Sequence, residues 1–111
     1  MLFGDLTGEG KDDAVVTVDS GGAAGIIAVY VFSALSGKDL NVVYRNQRLY
    51  RAMVRLNPGP ALVYSLSQWK QGDELCCPSE YRETELRWST TSKRFGVAKR
   101  RTLPATLVAV R

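Results

Sequence analysis

Asn57-Pro58-Gly59-Pro60-Ala61-Leu62-Val63-Tyr64-Ser65-Leu66-Ser67-Gln68-Trp69 carries the clearest fold signal in the chain. Its first four residues read as a turn, because proline fixes φ and removes an N–H donor while glycine frees the backbone. From Ala61 to Trp69 the residues Leu62, Tyr64 and Leu66 alternate against Val63, Ser65 and Ser67. A period of two sets these groups on opposite faces of a strand, and it dominates over any helical period.

The same pattern recurs outward in both directions. Asp13–Asp19, Ile26–Leu35, Leu40–Arg45 and Leu49–Leu56 read as strands before the turn, and Tyr81–Trp88 and Arg94–Lys99 as strands after it. Ser20–Gly25, Ser36–Asp39 and Thr90–Lys93 are the intervening turn signals. The span Leu40–Leu56 also admits a short helix. Thr106-Leu107-Val108-Ala109-Val110 suits either a last edge strand, open to pairing across a homodimer, or a partner-seeking segment. The expectation is an all-β fold in a single domain, 1–111. About seven short strands form an antiparallel meander that closes into a curved sheet, a sandwich or a partial barrel. No internal repeat is present, which argues against a propeller.

Gly4-Asp5-Leu6-Thr7-Gly8-Glu9-Gly10-Lys11-Asp12-Asp13 leads into the first of these strands. Calcium takes six to eight hard oxygen ligands, and a tight loop offers them from alternate positions. Here those are the side chains of Asp5, Thr7, Glu9 and Asp13 and the carbonyl of Lys11, with Gly10 permitting the sharp turn. Thr7 is neutral, Glu9 is long, and Val16 stands where a bidentate glutamate would complete an EF-hand. The same residues also suit a glycine-rich turn in which Asp and Thr side chains hydrogen bond their own backbone.

The chain has 111 residues with a net charge of +4, unevenly spread. Residues 1–40 hold two basic and six acidic side chains, whereas residues 41–111 hold thirteen and five. The basic half includes Arg45, Arg48, Arg51 and Arg55, then Lys93, Arg94, Lys99, Arg100 and Arg101. Either these are solvated faces of strands, or they meet an anionic polymer or protein partner. No nucleic-acid module signature accompanies them.

There is no histidine, which removes the usual general base and the Ser-His and Cys-His dyads. Glu83 and Glu85 alternate with Thr84 and Leu86, so they read as a solvated strand face rather than a catalytic pair. The glycines of 21–25 lack the lysine of a phosphate-binding loop. The expectation is a protein that is not an enzyme. Cys76 and Cys77 are adjacent, and they are the only cysteines. Ordinary bridge geometry strains a vicinal disulfide, and two thiols alone make a poor metal site. The longest apolar run, Ala23–Phe32, is too short to span a bilayer.

Two blocks carry a family resemblance. Gly4 to Val16 resembles the opening of FG-GAP-like and related secreted bacterial domains. Gly72-Asp73-Glu74-Leu75-Cys76-Cys77-Pro78-Ser79, followed by Thr84-Glu85-Leu86-Arg87-Trp88, is similar to a block of LppP/LprE-type lipoproteins. The departures are Glu9 in place of aspartate and the lack of an upstream cysteine to pair with Cys76 or Cys77. The resemblance implies an exported or lipid-anchored, extracytoplasmic domain, and it implies location more than activity. No leader is recognisable in 1–111, so the anchor or leader is expected only in a longer form.

Overall fold

The computed structural model describes residues 1–34, 37, 39–69, 71–73 and 78–104. Eight strands occupy them: β1 (Leu2–Gly4), β2 (Asp13–Asp19), β3 (Ile26–Ser33), β4 (Asn41–Asn46), β5 (Met53–Asn57), β6 (Ala61–Gln68), β7 (Glu80–Ser89) and β8 (Arg94–Pro104). They form two four-stranded antiparallel meanders, β1-β2-β3-β4 and β5-β6-β7-β8. The all-β expectation holds, and the sandwich is the form it takes.

Period-two alternation explains why the sheets face each other. Val15, Val29 and Val31 point from one sheet, and Leu62 and Leu86 from the other, into one buried cluster with Leu6, Leu49 and Ala52. Leu62, Val15, Val29 and Val31 are fully enclosed. Truncating any such side chain to alanine costs about 2–5 kcal/mol through lost transfer energy and the cavity left behind. Bulges at Val18/Asp19, Val31/Phe32 and Glu85/Leu86 bend the strands around this core. The cross-strand aromatic pair Trp88–Phe95, edge to face at 5.2 Å, and Tyr44–Phe95 at 5.7 Å close one end of it.

Three sequence expectations are corrected. No helix forms over Leu40–Leu56. The strand expected at Leu49–Leu56 begins only at Met53, because 47–52 is the crossover between the sheets. There Leu49 N–H donates to Ile27 O, Ala52 N–H to Ile26 O and Arg51 N–H to Ala24 O, with Arg51 at φ 49°. β1 was not anticipated, since three residues show no readable period. The Cys76–Cys77 pair and the Thr106–Val110 segment lie outside the described residues.

The crossover requires glycine at one point. Gly25 has φ 58°, and a Cβ there would stand 3.3 Å from the Arg51 Cα. Gly25→Ala is therefore expected to cost about 1–3 kcal/mol in urea unfolding. Gly22→Ala, whose Cβ would meet open space, should stay within about 0.5 kcal/mol of the parent.

Candidate functional site

The N-terminal loop folds its polar side chains onto its own backbone. Asp5 accepts the N–H of Gly8 and Glu9 on Oδ1, at 2.9 and 3.0 Å, and that of Gly10 on Oδ2 at 2.7 Å. Asp13, 1% exposed, accepts the N–H of Leu6 and Thr7 on Oδ2 at 2.8 and 3.0 Å. Thr7 Oγ1 meets Glu9 Oε1, and Ser33 Oγ donates to the same oxygen at 3.1 Å. Lys11 is exposed. Asp5, Thr7, Glu9 and Asp13 are thus brought into one loop, with the carboxylates of Asp5 and Asp13 serving as acceptors for backbone donors. Among the described residues no group of three or more acidic, histidine or cysteine side chains is placed to hold a metal ion. The carboxylates in this arrangement fit a hydrogen-bonded brace, in which each buried N–H finds a charged acceptor.

The arginines of β5, β7 and the middle of β8 divide between the two faces of the second sheet. On the outer face Glu83, 5% exposed, is bound from both sides. Arg55 Nη1 lies 3.0 Å from Oε2, and Arg101 donates from Nε and Nη2 to Oε1 at 3.0 and 2.9 Å. Arg87 pairs with Glu85 at 3.3 Å on the same face and donates to Gly59 O at 2.8 Å. Glu83 is therefore not part of a solvated face. It is a buried carboxylate whose desolvation is offset by two guanidinium groups.

Among the described residues the arginines on the opposite face have no such partners. Arg82 is paired in register with Leu66 and Thr102, and Arg100 with Thr84. All three neighbours are neutral. The two arginines are diagonal neighbours, a spacing of roughly 7–8 Å across adjacent strands. Both are exposed. They line a groove of about 430 Å³ with Tyr64, Leu66, Thr84, Arg101 and Thr102. Among the described residues the acid on this face of β7 is Glu80, at the strand's start opposite Pro104, and it makes a contact of its own. Guanidinium forks beside threonine hydroxyls and an apolar floor can hold a carboxylate, sulfate or phosphate bidentately. Among the described residues the groove contains no nucleophile with a base beside it and no carboxylate pair.

Sequence reasoning named Arg100 and Arg101 but not Arg82, Tyr64, Thr84 or Thr102. Parity was the available signal: Arg82 and Arg100 fall on the inward-facing positions of their strands, where arginine is unusual. Arg45, Arg48, Arg51 and Arg55 do not form a stripe. Arg45 is exposed opposite Tyr30, Arg51 donates to Ala23 O at 2.7 Å, and Arg55 belongs to Glu83.

Burial holds the Tyr44 phenol above its usual value near 10, a hydrogen bond from Asn46 opposes this, and Tyr64, which lines the groove, adds to the rise. No family model, no curated protein and no solved structure matches this chain.

Two outcomes follow from these contacts. Asp13→Asn weakens the acceptor for Leu6 and Thr7 and is expected to cost about 1–3 kcal/mol of stability in denaturant titration. Asp12→Asn, at an exposed position, should change little. Because Tyr44 is harder to ionise folded than unfolded, its contribution to stability is complete below about pH 10 and is lost as pH rises through the raised folded value. Thermal melts should therefore fall less steeply above pH 10 in Tyr44→Phe than in the parent.

Proposed function

We propose that this is a non-catalytic binding domain that holds an anionic partner in the groove between Arg82 and Arg100. The observation that carries the reading is the pairing pattern of the sheet. Glu83 and Glu85 neutralise Arg55, Arg87 and Arg101 on the outer face, while among the described residues Arg82 and Arg100 stay unpaired over a groove on the other. A cation engaged in a structural pair has little to offer a ligand; two exposed guanidinium groups with neutral neighbours have all their donors available.

The Asp5–Asp13 loop is proposed as a structural brace that fixes β1 against β2. Calcium is not required for it, so melting temperatures in calcium and in chelator are expected to agree. The proposed place of action is outside the cytoplasm, supported by the resemblance of the Gly4–Val16 and Gly72–Ser79 blocks to exported and lipid-anchored domains. The absence of histidine from the sequence and, among the described residues, of a base beside the Thr84, Thr102 and Tyr64 hydroxyls of the groove supports a binding rather than a catalytic role.

The test is direct titration with heparin and with polyglutamate at two salt concentrations. Binding that weakens with salt is expected, and the Arg82→Ala, Arg100→Ala double variant should lose about ten- to a hundredfold in affinity. Arg45→Ala, a change to a cation on the other sheet, should leave affinity within about twofold. Absence of binding to either polyanion, or equal loss with Arg45→Ala, removes the reading.

A further inference from the structure

β8 closes its sheet, and among the described residues only β7 pairs with it. The strand is eleven residues long. Its other edge therefore offers a run of backbone N–H and C=O groups that no described strand satisfies, and such an edge is a template for another chain. Arg94 and every residue from Gly96 to Thr102 are exposed. At one face of the edge lies the Arg82–Arg100 groove; at the other lie Lys99 and Arg101.

The chemistry of the strand chooses among occupants. Residues 93–104 hold Lys93, Arg94, Lys99, Arg100 and Arg101 and no acid. A second copy pairing antiparallel about Arg100 would set Lys99, Arg100 and Arg101 against themselves, and like charges across a ladder are destabilising. An acidic strand meets the reverse situation at the same positions. Resting on the anionic-partner reading and adding the partner's class, we infer that β8 accepts an extended acidic polypeptide segment as a ninth strand of the sheet.

Alternation makes this fit specific. Side chains of the incoming strand that point inward lie beside Arg100, with Arg82 one strand further in. Those that point outward meet Lys99 and Arg101, the latter still 44% exposed although bound to Glu83. Consecutive acidic residues are therefore matched on both faces opposite Lys99–Arg101. Main-chain hydrogen bonds supply affinity that does not depend on charge, and side-chain pairing supplies the preference for acids. A glycan or nucleic acid can use the cations but has no N–H and C=O ladder to extend the sheet.

The test uses the full chain and a blocked peptide of about nine residues, a typical strand length, with three central glutamates flanked by valine and threonine. A fully N-methylated copy has the same charge and cannot donate to a ladder. Heparin and oligothymidylate serve as polyanions without a peptide backbone. Binding is read by fluorescence anisotropy, and amide hydrogen exchange reports which strand is covered. The peptide is expected to bind, to slow exchange in β8 but not in β5, and to lose about tenfold or more on N-methylation, the equivalent of about 1.4 kcal/mol. Equal binding by the N-methylated copy, or binding by heparin or oligothymidylate without the peptide, overturns the ninth strand and leaves the anionic groove standing. No binding by any of the four removes both.

Discussion

Glu83 holds the second sheet in register. Its carboxylate sits in the middle of β7, between Arg55 on β5 and Arg101 on β8, and is almost wholly withdrawn from water. A charge in that position is tolerated only while both guanidinium groups remain within hydrogen-bonding distance, because an unpaired buried carboxylate costs several kcal/mol. A slip of one residue between strands would turn Glu83 to the inner face and carry Leu62 and Leu86 outward. The ion triad and the apolar core thus demand the same register, and each would be lost with the other. Val63 and Ser65, on the same outer face of β6, are also buried.

That shared register decides what the surface can do. Of the cations on β5, β7 and β8, Arg55, Arg87 and Arg101 at outward positions are drawn into structural pairs, while among the described residues Lys99, also outward, and the inward Arg82 and Arg100 are not. The inner face of a sandwich ordinarily has no room for arginine. Here the alternation that buries Leu86 near one end of β7 delivers Arg82 to the other end, in a strand of ten residues. The groove is the consequence: a stretch of inner face floored by Tyr64 and Leu66 and walled by β8. Charge that looks diffuse in the sequence is sorted by strand parity, with Arg55, Arg87 and Arg101 engaged on one face and Arg82 and Arg100 available on the other.

The sequence was informative where side-chain period sufficed. Asp13–Asp19 has the predicted bounds, and the predicted positions of β3, β4, β6 and β7 differ by a few residues at most. It was uninformative where structure depends on distant partners. Leu49–Leu56 looks continuous because its residues suit a strand, yet the chain turns at Arg51 to change sheets, a turn held by bonds to residues 24–27. Nothing local marks the division into two sheets rather than one meander. Glu83 reads as solvated because its partners are far along the chain; only the pairing of β7 with β8, and of β5 with β6, brings them together. The loop residues Asp5 and Asp13 were legible as a group of oxygen donors. That their oxygens are occupied by backbone N–H groups depends on the path of the loop, which composition does not reveal.

The four sheet edges are not equivalent, and their differences bear on association. β1 is three residues long and offers little to pair with. β5 is five residues and ends in the Pro58–Pro60 turn. β4 is six residues with a bulge against β3, which twists its edge away from a flat approach. β8 alone is long; its own bulge lies at Ala98, opposite Glu85/Leu86, and the six residues beyond it carry a consecutive run of three cations. Lysine and arginine on an edge strand are a common means of preventing self-pairing. A short strand or a covered edge would achieve the same protection with no bias toward any partner. Protection by charge is conditional: it repels copies of itself and attracts acids. Beyond its bulge the β8 edge is guarded by charge, and so is open to one chemical class of strand, which is a property expected of a binding edge more than of a merely protected one.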